Sequence, residues 1–274
     1  RALHAPVSME DVVRAQRRFA FEQMLLYQAA VRMMKDVRKK GFHVEAGAEV
    51  QHEYWNVLPF KPTGAQERTL NEIALDLSGQ NAMARMVQGD VGSGKTAVAM
   101  GAMLLCARAG YQCALMAPTE ILARQHYDDA IELLSRLGLR VELLLGSTTA
   151  KEKKRIKEGL LNGSIDVCVG THALISDGVD FANLGLVITD EQHRFGVTQR
   201  AKLKEKSVRA HLLVMSATPI PRTLALTMYG DLDISIIDEY PKGRQKIECY
   251  SVTKDPEERA YNYIKKHIDE GRQA

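Results

Sequence analysis

Little in this sequence points to a metal-rich, secreted or membrane-embedded protein. Its 274 residues include only four cysteines, Cys106, Cys113, Cys168 and Cys249, and no Cys-x-x-Cys pair. That argues against a metal cluster and a disulfide framework, and fits a reducing cytoplasm. No run approaches the roughly 18 apolar residues needed to cross a bilayer, and the N-terminus lacks the charged-then-apolar pattern of a secretion signal. Net charge is also small: 37 basic against 34 acidic residues leave +3, which permits a polyanionic partner without demanding one. Internal repeats and low-complexity tracts are missing too. The chain begins at Arg1 rather than methionine and stops just past Gly271, a residue suited to ending a helix, so we read it as a fragment.

What is present is a hydrophobic content of 45%, enough for one substantial core and a smaller second unit. Ser8 and Asp11 form a capping-box-like start, after which Val12, Phe19, Leu26 and Met33 share one helical face, predicting a long helix that ends at Gly41. Its other face carries Arg14, Arg17, Arg18, Arg32, Lys35, Arg38, Lys39 and Lys40, either a solvated surface or a nucleic-acid contact. From residue 58 onward, short apolar runs alternate with amphipathic helices, which predicts a parallel sheet covered on both faces. Strands are expected at 84–88, 112–117, 140–145, 167–169, 186–189 and 211–216, and helices at 96–109, 120–137 and 150–162. Asp255-Pro256-Glu257-Glu258 marks a further helix start.

The chemistry concentrates in three places. Gly89-Asp90-Val91-Gly92-Ser93-Gly94-Lys95-Thr96 follows an apolar strand and opens a helix, the context of a phosphate-binding P-loop. Its glycines let backbone amides curl toward phosphates, Lys95 neutralises the terminal phosphates and Thr96 ligates Mg2+. Asp190-Glu191 emerges from a buried strand, so Asp190 is expected to hold the same Mg2+ and Glu191 to orient the attacking water. Ser216-Ala217-Thr218-Pro219 closes another strand and places the hydroxyls of Ser216 and Thr218 beside the same edge.

These motifs, with Ala117-Pro118-Thr119-Glu120 between the first two and Gln192-His193 completing the second, occur in the order found in superfamily 2 helicases and translocases. The strings at 190–200 and 215–233 look like the bacterial branch-migration helicases in particular, and the nearest rival is the transcription-repair coupling translocase. The resemblance implies an α/β, RecA-like P-loop NTPase fold over residues 58–254. Residues 1–57 would be a helical linker after a wedge domain, and residues 255–274 would open a second RecA-like lobe. It implies ATP and Mg2+ as cofactors, a monomer acting on branched DNA, and no membrane partner. Phe60 and Gln66, with Thr63, would read the adenine, although Thr63 also suits a plain helix cap. Pro118, Thr119, Arg124, Gly146, Ser147, Gly170, Thr171 and His172 would line the DNA groove, with Gln192, His193, Ser216 and Thr218 coupling it to the nucleotide. The basic cluster Lys151, Lys153, Lys154, Arg155 and Lys157 is either a DNA track or a solvated face. Two other readings stay open: a nucleotide- and DNA-binding module without turnover, and a metabolic P-loop kinase.

Overall fold

The computed structural model describes residues 7–36, 40–45, 47–176, 178–190, 209–218, 232–241 and 257–272. The chain divides into two units, Arg1–Pro241 and Lys242–Ala274. The first unit holds seven strands: β1 (Ala84–Gly89), β2 (Gln112–Met116), β3 (Val141–Leu144), β4 (Val167–Gly170), β5 (Leu184–Asp190), β6 (His211–Ser216) and β7 (Asp233–Ile237). All pair in parallel, in the order β3-β4-β2-β5-β6-β1-β7. Among the described residues it also holds helices α1 (Met9–Asp36), α2 (Ala48–Val57), α3 (Gly64–Leu77), α4 (Lys95–Arg108), α5 (Glu120–Leu134) and α6 (Ala150–Leu161). The second unit contributes α7 (Glu257–Asp269), which ends, as its sequence suggests, at a left-handed Gly271.

The strands read as continuous apolar runs because both faces are covered; every residue of β2 and β4 is buried. α4 is apolar all round for the same reason, buried from Val98 to Cys106 beneath α2 and α3. Tyr54 of α2 is fully buried there, donates its hydroxyl to Ala97 O, and has its phenol pKa pushed far up by burial. β7 was not anticipated: Asp-Ile-Ser-Ile-Ile is an edge strand with one exposed isoleucine, too short and mixed to stand out.

α1 is capped as expected, with Asp11 N–H donating to Ser8 Oγ at 3.2 Å. Its described residues run to Asp36, and Lys40, expected inside the helix, instead forms an antiparallel bridge with Asn81. The residues that follow make a strap under the amino-terminal ends of the strands. Gly41 N–H donates to Gln80 O at 3.1 Å, Val44 N–H donates to Leu77 O at 3.0 Å, and Val44 is fully buried. His211, the first residue of β6, closes it: Nδ1 accepts from Met83 N–H at 3.0 Å and Nε2 lies 2.7 Å from Phe42 O. This arrangement fixes the neutral tautomer, and burial lowers the pKa of His211.

Candidate functional site

β1 delivers the glycine-rich loop to the carboxyl edge of the sheet. Gly94 adopts φ +88° as the N-cap of α4, a conformation that costs any residue with a Cβ, and a Cβ there would also collide with Gln66 Nε2. Lys95 Nζ curls back to donate to Gly89 O at 2.7 Å and Asp90 O at 2.9 Å, so the loop closes around its own lysine. Ser93 Oγ is buried and has no hydrogen-bond partner among the described residues. A cradle too tight for side chains, backed by a lysine and a helix N-terminus, fits a phosphate chain.

Two strands away, β5 ends in Asp190. β6 lies between, with Asp190 in register with Met215 and Ser216 in register with Gln88. At the usual strand spacing this puts Asp190 about 10 Å from the end of β1, with Ser216 and Thr218 in the gap. Ser216 Oγ and Thr218 Oγ1 are 3.0 Å apart, and Gln88 Nε2 donates to Thr218 O at 3.2 Å. Asp190 is itself held: its Oδ2 is 2.7 Å from Nε2 of His126 on α5. One carboxylate opposite a threonine at the head of α4 suits Mg2+, which takes few protein ligands and fills its octahedron with water and phosphate oxygens.

Beside the loop, a cavity of about 300 Å³ is bounded by Leu58, Pro59, Phe60, Thr96, Ala97, Met100 and the α5 residues Asp129, Glu132, Leu133 and Arg136. Phe60 is 42% exposed and lines it, as an aromatic that stacks on a base should. Gln66 is instead completely buried, at 0% exposure. It forms a capping box with Thr63 at the start of α3, and its Nε2 donates to Ser93 O at 2.8 Å. In this structure Gln66 holds the glycine loop from behind.

The other half of the carboxyl edge, above β3, β4 and β2, carries the residues expected along a DNA groove. Thr119 caps α5 by accepting from Leu122 N–H at 3.3 Å, and Glu120 reaches to the loop after β3. There it accepts from Ser147 N–H at 3.1 Å and from Ser147 Oγ at 2.7 Å, bonds that hold its carboxyl below the usual range. Arg124, Gly146, Ser147 and His172 are exposed, whereas Gly170 and Thr171 are buried. The cluster on α6 is partly spoken for, since Lys153 donates to Gly146 O at 2.7 Å and Arg155 grips Glu142 through two bonds of 2.6 and 2.8 Å.

The sequence profile described as DEAD/DEAH box helicase matches residues 63–227, more than half of the chain and all of the nucleotide-site strands except β7. The chain belongs to the DEAD/DEAH box helicase family. Among curated relatives it is 46% identical to the ATP-dependent DNA helicase RecG of Bacillus subtilis, covering 100% of this chain and 41% of that protein. It is also 46% identical to the RecG of Thermotoga maritima, covering 99% of this chain and 35% of that protein. Among solved structures, RecG bound to a three-way DNA junction superposes with a TM-score of 0.86 at 42% identity, over 98% of this chain and 37% of that one. The chain thus spans well under half the length of these relatives.

Within this helicase fold the structure brings together Lys95, Thr96, Asp190, Ser216 and Thr218 on adjacent strand ends, and places Phe60 at the neighbouring cavity. Glu191, Gln192 and His193 lie outside the described residues. The residues just after β7 were not singled out from sequence and bear on the site. Tyr240 Oη donates to Asp90 Oδ2 of the glycine loop at 2.6 Å, and Ala65 N–H donates to Glu239 at 3.3 Å. Arg68 donates to Asp238 at 2.9 Å and holds that carboxyl below its usual range. His126 was also missed. Among the described residues, no helix is long and apolar enough to cross a membrane.

Proposed function

We propose that the protein is an ATP-dependent DNA helicase or translocase that remodels branched DNA, such as stalled forks and Holliday junctions, in recombination and repair. The observation that carries this reading is a P-loop and an acidic strand end on one half of a sheet edge, with the loops around Thr119, Ser147 and His172, expected to face DNA, on the other half of the same edge. Similarity over the whole chain to RecG proteins, one of them seen on a three-way junction, supports branched DNA as the partner. Lys95 and the loop amides bind the phosphates of ATP, Thr96 and Asp190 hold Mg2+, and Glu191 positions and deprotonates the attacking water. The ion supplies charge neutralisation at the phosphates. Phe60 stacks on the adenine while Gln66 steadies the loop. Thr119, Arg124, Ser147 and His172 engage DNA phosphates, so binding is weakly sequence-specific and salt-sensitive.

In this reading residues 58–254 are the first RecA-like lobe, residues 1–57 link it to a wedge domain, and residues 255–274 start the second lobe. The protein works in the cytoplasm as a monomer. An arginine from the second lobe can contribute a rate factor of roughly 10³ to 10⁵ in such sites, so the 274 residues alone bind ATP and DNA with little turnover. ATP hydrolysis by the full-length protein and by this chain, each with and without a synthetic four-way junction, tests both statements. Junction-stimulated turnover confined to the full-length protein is expected. Turnover indifferent to DNA in the full-length protein would defeat the motor reading, and equal turnover in the two would defeat the two-lobe reading.

A further inference from the structure

The core-facing positions of α5 are apolar or small, with Ala123, Ala130, Leu133 and Leu134 buried, yet the same face carries His126. Its side chain is 8% exposed, and it meets the 14% exposed side chain of Asp190 at 2.7 Å. A carboxylate only accepts, so Nε2 carries the hydrogen and donates to Oδ2, leaving the other carboxylate oxygen for a different partner. Nδ1 is buried without a hydrogen-bond partner among the described residues. An imidazole in that position carries a desolvation cost that a leucine would not, so packing does not account for its presence.

We propose that His126 is a positioning residue for Asp190: it fixes the orientation of the carboxylate so that its remaining oxygen meets the Mg2+ of the bound nucleotide. Hydrogen bonds of this kind to a ligating carboxylate orient it and confine its rotamers, and their loss typically weakens metal binding roughly 10- to 100-fold. The donor comes from the helix that Thr119 caps and that Glu120 ties to Ser147, so the group holding the metal ligand and the group holding the DNA-side loop share one rigid element. The inference rests on the assignment of Asp190 as the metal ligand and adds a partner that the motif itself does not contain.

The test uses Mn2+ as the probe, with electron paramagnetic resonance reporting its binding to the full-length protein saturated with a non-hydrolysable ATP analogue. Nucleotide affinity in EDTA and the thermal unfolding midpoint are read alongside. His126→Leu fills the core-facing position and removes the donor; His126→Gln keeps an N–H donor at nearly the same reach. The expected result is Mn2+ affinity weakened roughly 10- to 100-fold in the leucine variant, largely restored in the glutamine variant, with metal-free nucleotide affinity and unfolding midpoint unchanged. Unchanged Mn2+ affinity in His126→Leu, or equal losses with and without metal, would overturn the proposal, as would a glutamine variant no better than the leucine one. Asp190→Asn separates the two levels: if it leaves Mn2+ affinity intact, the metal-ligand assignment fails; if it alone weakens Mn2+, the role of His126 fails.

Discussion

The two halves of the carboxyl edge are finished differently. Above β1, β5 and β6 the protein surrounds a space: the glycine loop is held in a left-handed turn at Gly94, and the hydroxyl of Ser93 is buried without a partner among the described residues. Above β3 and β2 the protein supplies an anion of its own, because Glu120 takes both the amide and the hydroxyl of Ser147. On the proposed function, one half is built around a phosphate that must arrive, whereas in the other a DNA phosphate would have to replace an internal carboxylate. Tight, obligatory binding suits the first arrangement, and exchangeable, stepwise binding suits the second.

The sharpest way to break this comparison is at Lys95. In the full-length protein Lys95→Ala should lower junction-stimulated ATP hydrolysis by roughly 10²- to 10³-fold or more, the usual cost of removing one preorganised charge partner of the transition state. Glu191→Gln should stop turnover as fully while leaving nucleotide affinity, read by a fluorescent analogue, nearly unchanged; equal loss of binding in the two variants would undo these roles. Gly94→Ala comes next. The left-handed conformation alone costs about 1–2 kcal/mol, and the added methyl meets Gln66, so a lower unfolding midpoint and weakened nucleotide binding are expected together. A variant that binds nucleotide as the parent does would mean the loop is not rigid.

On the DNA half the effect should be smaller and of opposite sign. Glu120→Gln removes the internal anion, so junction affinity by fluorescence anisotropy should tighten several-fold at low salt and converge with the parent at high salt. Weaker binding would show that Glu120 organises the loop for DNA rather than competing with it. The smallest effect concerns pH. Burial lowers the pKa of His211, so the unfolded chain binds more protons than the folded one below the ordinary value of 6.5. Stability from this group is therefore complete above pH 6.5 and falls as the solution is acidified toward the folded pKa. His211→Gln should flatten the decline in unfolding midpoint between pH 7.5 and 5.5, and an unchanged slope would assign the decline to other groups.

Much of the nucleotide half was legible because its chemistry is written locally. The phosphate loop is eight consecutive residues, and β1, β2, β4, β5 and β6 are apolar runs that only a sheet buried on both faces requires. The order of strands was not legible, since nothing local says that β6 separates β1 from β5, and that order is what sets Ser216 and Thr218 between loop and acid. α2 and β7 were missed because one is weakly amphipathic and the other is a half-exposed edge. His126 was overlooked among apolar positions, although a polar residue at the buried step of an otherwise apolar helical face is a visible signal. The resemblance assigns Gln66 to the base; Thr63-x-x-Gln66 is also a capping-box pattern, and in the structure Oε1 of Gln66 accepts from Thr63 N–H and its Nε2 donates to Ser93 O.

The strap beneath the sheet has a mechanical meaning. A pull on α1 arrives at Gly41, Phe42 and Val44, where Gly41 and Val44 donate to the carbonyls of Gln80 and Leu77, Phe42 O meets His211, and the guanidinium of Arg209 lies 4.5 Å above the Phe42 ring. Those anchors sit at the end of α3, in the turn leading to β1 and at the first residue of β6, so they lie before the two strands whose far ends carry the phosphate loop and Ser216. Load entering there is taken up by anchors at the end of the sheet remote from the phosphate loop, so a pull on α1 is met before it reaches that loop.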